Sequence, residues 1–138
     1  MIKYKFTNTD LTTHSDCRWL PGEWKETGGD GDLCGPGWLH CYDSPLLAEF
    51  HNPIYGNYKP NAKLWEVEVD GEEKRDGQMK CGWTRMRLIR EIGRTTITTE
   101  QRVRYAILCS MQVYKEKTYV AWANAWLNGN DRSKSAAW

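Results

Sequence analysis

The sequence predicts an α+β fold, a curved and mainly antiparallel sheet followed by a C-terminal helical hairpin. Three observations carry this reading. Trp65, Val67 and Val69 alternate with Glu66 and Glu68, the two-residue period of a half-buried strand. Beyond residue 97 the period changes, with Val103, Ala106, Ile107, Ser110, Met111 and Tyr114 at helical spacing. The length, 138 residues, suits a single domain, divided into a sheet-rich part (1–92) and a helical part (97–138) packed on it.

The elements follow in order. Ile2, Tyr4 and Phe6 alternate with Lys3 and Lys5, which predicts a half-buried strand. Residues 7–16, rich in Thr, Asn, Asp and Ser, predict a loop. Cys17-Arg18-Trp19-Leu20, the turn pair Pro21-Gly22 and Glu23-Trp24-Lys25-Glu26 read as a hairpin. Gly28-Gly29-Asp30-Gly31-Asp32 reads as a flexible acidic tip, lacking the ligand spacing and terminal Glu of a calcium loop. Cys34-Gly35-Pro36-Gly37 bends the chain into a strand, Trp38 to Tyr42. Ser44 suits a helix N-cap and Pro45 the first helical position; this helix runs to His51 and ends before Pro53. Residues 52–62 form an aromatic loop ordered by its rings.

Lys63 to Asp70 is the clearest strand, Asp70-Gly71 a turn signal, and residues 71–79 a surface excursion. A further strand runs from Lys80 to Arg90, with Thr84, Met86 and Leu88 on one face and Arg85 and Arg87 on the other. Thr98-Thr99-Glu100-Gln101 is a capping box, in which the Thr98 hydroxyl and the Gln101 side chain satisfy free amides. After Lys115-Glu116-Lys117, a second helix carries Tyr119, Trp122, Ala123, Trp126 and Leu127 on one face and stops at Asn128-Gly129. Asp131 caps a last turn before Ala136-Ala137-Trp138.

The net charge is +1, which disfavours both a globally basic nucleic-acid binder and an acidic mimic of DNA. The charge is unevenly placed: residues 1–79 carry a net −6 and residues 80–138 a net +7. Either the two parts neutralise each other, or the second presents a basic face to an anionic partner. No apolar run is long enough for a membrane span, and Met1-Ile2-Lys3-Tyr4-Lys5 is no signal peptide, so a cytoplasmic protein is expected. Five cysteines, an odd number without a CxxC pair, argue against a disulfide framework. Cys34, His40 and Cys41, with Cys17 or His14, make a poor zinc set, because the adjacent His40 and Cys41 point to opposite faces of a strand. No metal and no cofactor is predicted.

The chain has neither GxGxxG nor a phosphate loop, and no nucleophile elbow. His40, between Leu39 and Cys41, reads as a core histidine or as the edge of a cleft with Tyr42 and Glu66; His14 and His51 read as solvated. Arg85, Arg87, Arg90, Arg94, Arg102 and Arg104 form a basic group. Arginine suits carboxylate and phosphate recognition. The first five, with Trp24, Tyr55 and Tyr58, are the candidate partner-binding residues. Eight Trp and seven Tyr against two Phe add side chains that both cores and interfaces use.

The runs Glu23-Trp24-Lys25, Leu33-Cys34-Gly35-Pro36-Gly37-Trp38-Leu39-His40-Cys41, Ser44-Pro45-Leu46 and Trp65-Glu66-Val67-Glu68-Val69-Asp70-Gly71 resemble a small domain of unknown function common in tailed-phage genomes. The resemblance covers about residues 2–90, and the segment from Thr98 to Ser133 is similar to tails on some members. It implies a phage or prophage origin and a bacterial-host cytoplasm. More distantly, the strand order resembles the ADP-ribosyltransferase fold, which implies NAD binding with His40 and Glu66 or Glu68 as the available groups.

The function expected is that of a phage-encoded accessory protein that binds and inhibits a host protein or ribonucleoprotein complex, such as a CRISPR-Cas defence system, without catalysis. The alternatives are an NAD-binding ADP-ribosyltransferase-like enzyme and a virion or assembly protein. Trp122 and Trp126 suit either a cover over the sheet or a homodimer contact through the C-terminal helices.

Overall fold

The centre of the fold is a long antiparallel pair, β6 (Lys63–Asp76) and β7 (Lys80–Ile92). The structure, a computed structural model, describes residues 1–52 and 58–132. Before this pair come β1 (Ile2–Thr7), β2 (Thr12–Thr13), a 3₁₀ turn at His14–Asp16, β3 (Cys17–Arg18), β4 (Lys25–Glu26), β5 (Leu39–Cys41) and α1 (Pro45–His51). After it come α2 (Thr99–Val113) and α3 (Lys117–Leu127). The class is α+β, with an antiparallel sheet. β1 lies on the outer side of β6, while β4 and β5 both pair with β7 at different points along it. β2 and β3 form a separate two-stranded ribbon. The chain divides into two compact units, Met1–Thr96 and Ile97–Trp138.

Two hydrophobic clusters hold the first unit. One gathers Trp19, Leu39, Cys41, Trp65, Val67, Val69, Cys81, Trp83, Met86 and Leu88. The other gathers Phe6, Tyr42, Ala48, Ala62 and Leu64, with Tyr58 packed against it. The expected alternation in β6 is present: Trp65, Val67 and Val69 are buried and Glu66 and Glu68 are half-buried. α1 starts as predicted, with the Leu47 amide donating to the Ser44 hydroxyl at 3.1 Å and Pro45 in the first turn.

Several expectations are corrected. Cys17–Leu20 and Glu23–Glu26 do not form a hairpin. The Pro21-Gly22 turn is real, with the Glu23 amide donating to the Leu20 carbonyl, but its arms find different partners. β3 pairs with β2 and β4 with β7, because Trp19 leaves the strand for the core, where its Nε1 donates to the Thr13 hydroxyl at 3.0 Å. The segment 7–16 therefore holds the end of β1, all of β2 and a 3₁₀ turn.

Asp70-Gly71 is not a turn either. Gly71 and Glu72 oppose the single residue Thr84, a bulge, and the strand continues to Asp76. Gly71 takes φ +87°, and a Cβ there would lie 2.2 Å from the Thr84 hydroxyl, so only glycine fits. The reversal comes at Gly77 to Met79, where the Met79 amide donates to the Asp76 carbonyl. The bulge also changes which side of β7 faces inward. Cys81 and Trp83 precede it in the core and Met86 and Leu88 follow, while the half-buried Thr84 accepts a hydrogen bond from the Glu72 amide. The acidic 28–32 segment is anchored as well: Trp38 Nε1 and Lys74 Nζ both donate to the Gly31 carbonyl, and the Gly29 amide to that of Gly37.

In the second unit the capping box is complete, with Thr98 and Gln101 each accepting from the other's backbone amide. α2 and α3 pack together. Glu116 caps α3 by accepting from the Tyr119 amide, and Gly129, at φ +76°, closes it. Of the predicted α2 face, Ile107 is buried but Ala106 and Tyr114 are exposed. No helix among the described residues is long and apolar enough to cross a membrane.

Candidate functional site: a lysine-bearing cavity

The first unit contains a cavity of about 790 Å³, a size typical of small-molecule sites. β1, the β2–β3 ribbon, β4 and β5 supply its walls. The aromatic lining includes Trp19, Trp38 and Tyr58.

Lys5 is the unexpected member. The alternation in β1 places it outward by expectation, yet it is 8% exposed. Its Cα partner across the sheet is Trp65, and its Nζ donates to the His40 carbonyl at 2.7 Å and sits 5.3 Å from the centre of the Trp19 ring. No carboxylate pairs with it among the described residues. Burial pushes its pKa down to about 8. Lys25 and Lys80 line the same cavity, with one carboxylate, Glu26, which pairs with Arg85; Lys25 Nζ stands 5.2 Å from the Trp19 ring centre.

His40 also lines the cavity and is half-buried. Its Nε2 is hydrogen-bonded to the Leu33 carbonyl. Burial pushes the imidazole down to about 4, against the opposing effect of that bond, so it is neutral at pH 7. A neutral ring that donates from Nε2 leaves Nδ1 as an acceptor. Tyr42 lines the cavity with it, as the cleft reading expects, but Glu66 is not part of this lining. Glu66 stands opposite Tyr4 and pairs with Arg90 at 2.7 Å. His14, Cys17 and Cys34 reach the cavity too. His51 does not: contrary to the solvated reading it is fully buried, its ring 5.4 Å from that of Tyr42.

Of the candidate partner-binding residues, Arg102 lies in the second unit and the other described ones in the first. Arg85 pairs with Glu26 and Asp70, Arg87 with Glu68 and Arg90 with Glu66. In each case a β7 arginine meets a β6 acid directly across the sheet. The charge asymmetry of the sequence is thus largely a cross-strand ladder within one sheet. Trp24 lies under two of these guanidinium groups, 4.3 Å from Arg85 and 4.7 Å from Arg87. Arg94 is bound to the buried Glu49. Arg102 and Arg104 belong to α2, where Arg104 donates to the Leu127 carbonyl. Tyr58 stacks on Phe6 and lines the cavity. Tyr55 and the turn at Ala136–Trp138 lie outside the described residues.

The sequence reading missed Lys5, Lys25 and Lys80. The alternation of Lys3 and Lys5 with Ile2, Tyr4 and Phe6 carries no signal of it, because only the assembled structure buries Lys5.

An α+β domain with a ligand-sized, cationic and aromatic cavity is the class that fold and site define. The chain belongs to the family described as Domain of unknown function (DUF7666), which it matches over residues 1–100. Neither the curated proteins nor the solved structures compared with it gave a match.

Proposed function

We propose that this chain is a binding module whose cavity takes a small anionic ligand carrying a ring, such as a nucleotide. The observation that carries this is Lys5: a buried ammonium group with no carboxylate partner among the described residues, beside about 790 Å³ of open space. Burying a charge unpaired is costly, and an entering anion relieves that cost. Among the aromatic lining residues, Tyr58 is half-buried and offers an edge or face for a ring. Titration calorimetry of the full chain with adenosine monophosphate, NAD and inorganic phosphate tests it. The ring-bearing phosphates should bind, phosphate alone more weakly, and Lys5→Met should abolish the signal; no heat with any of them overturns the reading. Consumption of NAD, lost in His40→Ala, would instead favour the ADP-ribosyltransferase-like alternative.

A second reading concerns the biological setting. The resemblance to phage domains supports a phage-encoded accessory protein acting on a host protein or ribonucleoprotein in the bacterial cytoplasm. Trp24 beneath Arg85 and Arg87 favours a docking role for that surface, since Trp and Arg dominate binding hot spots. A host defence complex retained by the wild type and released by Trp24→Ala would support it. Retention unaffected by that change would remove Trp24 from the interface.

A further inference from the structure

We propose that Lys5 captures carbonyl-bearing anions covalently, as an imine formed inside the cavity. This deepens the ligand-binding reading and rests on it. Lys5 and Lys80 are the buried lysines of the described residues, and both line the cavity. For Lys5 the surroundings among the described residues are a hydrogen bond to the His40 carbonyl and the Trp19 face, with no carboxylate paired to it.

That arrangement suits an amine nucleophile. A neutral amine keeps two N–H bonds and one lone pair. One N–H can retain the bond to the His40 carbonyl, which leaves the lone pair free for an electrophile. Burial disfavours the charged form more than the nearby Trp19 face favours it, and a pKa of about 8 leaves far more free amine at neutral pH than an ordinary lysine has. Desolvation of this kind is how lysines become Schiff-base nucleophiles. Lys25 remains in the same cavity to hold the ligand's anionic group.

The chemistry balances without an oxidant or reductant. The Lys5 nitrogen forms a bond to the carbonyl carbon, and the π electrons move to oxygen, which takes up a proton. The nitrogen gives up a proton, and the carbinolamine then loses its hydroxyl as water. Amine and carbonyl compound thus become imine and water, with protons carried by solvent.

The test uses the full chain and pyridoxal 5′-phosphate, an aromatic aldehyde with a phosphate, followed by borohydride reduction and peptide mapping of the ten lysines. Lys5 should label at least tenfold faster than the exposed Lys115 and Lys117, since a pKa of about 8 against the ordinary 10.5 raises its free-amine fraction at pH 7 by about 300-fold. Pyridoxine 5′-phosphate, which lacks the aldehyde, should compete for the site and bind reversibly by calorimetry. Lys5→Arg should lose the adduct, and an adduct that forms as fast in that variant would overturn imine capture by Lys5. Lys5 labelling no faster than the exposed lysines overturns imine capture. If pyridoxine 5′-phosphate binds in that case, the ligand-binding reading stands alone; if it does not bind, both fail.

Discussion

Glu49 and Arg94 close the first unit. The Glu49 carboxylate, 1% exposed at the end of α1, accepts from Arg94 Nη2 at 2.8 Å and from the Thr95 amide at 2.9 Å. Arg94 in turn donates to the Pro60 and Ala62 carbonyls and lies over the Phe6 ring. One guanidinium therefore ties the chain beyond β7 to α1 and to the approach to β6.

Removing either partner leaves a buried charge or several unmet acceptors. Arg94→Met is expected to cost about 3–5 kcal/mol, measured by urea unfolding. The double variant Arg94→Met, Glu49→Met should recover part of that loss, because the desolvation cost goes with the pair. A loss below about 1 kcal/mol for Arg94→Met would show that the pair is screened by water.

Lys5 is expected to trade stability for binding. Its pKa falls from 10.5 to about 8 on folding, so the unfolded chain binds more protons between those values. Stability should therefore rise as pH increases from about 8 to 10.5. Lys5→Met should flatten that rise and stabilise the chain by about 1–3 kcal/mol at pH 7, part of the gain being offset by the His40 carbonyl it leaves unmet. Thermal unfolding across this pH range reads both effects.

His40 gives the acid counterpart. Its imidazole moves from 6.5 to about 4 in the fold, through burial first, so protonation favours the unfolded chain. Stability should fall as pH drops through 6.5 towards 4, and His40→Gln should weaken this dependence. Chemical-shift titration of the His40 ring provides the direct readout: a midpoint near 6.5 would contradict the burial described.

Gly82 allows Trp38, which directly precedes β5, to sit close to β7. An added Cβ would meet Leu33 Cδ1 and Trp38 Cβ, each at 2.8 Å. Gly82→Ala is expected to cost about 1–3 kcal/mol through overpacking and to shift Trp38 fluorescence. In the second unit, Thr98→Ala removes the cap of α2 and should cost about 1 kcal/mol in stability, with reduced helicity by circular dichroism.

Much of this architecture is legible in the residues. β6, α1 with its Ser44 cap, and the Thr98–Gln101 capping box are local: side-chain period and hydrogen bonds within four residues determine them. What escapes is non-local. Gly71 has the signature of a turn, but its φ is used in a bulge because Thr84 lies across the sheet. Pro21-Gly22 does turn the chain, yet which strands its arms join depends on Trp19 finding the core. The cavity is hidden for the same reason. Lys5, Lys25 and Lys80 come from β1, β4 and the start of β7, and only the sheet order brings them together. His51 reads as solvated because it lies next to a loop, whereas in the fold its ring packs 5.4 Å from that of Tyr42.

The strands that flank the cavity are short. β4 has two residues and β5 three, and both are fastened to one long strand, joined to each other by the glycine-rich stretch 28–37. The long β6–β7 ribbon carries the mechanical integrity, while the vessel wall is a strap buckled to it at two points. Lengthening or trimming that strap would change the capacity and selectivity of the vessel and leave the ribbon intact, so ligand preference could diverge among proteins of this shape much faster than the shape itself.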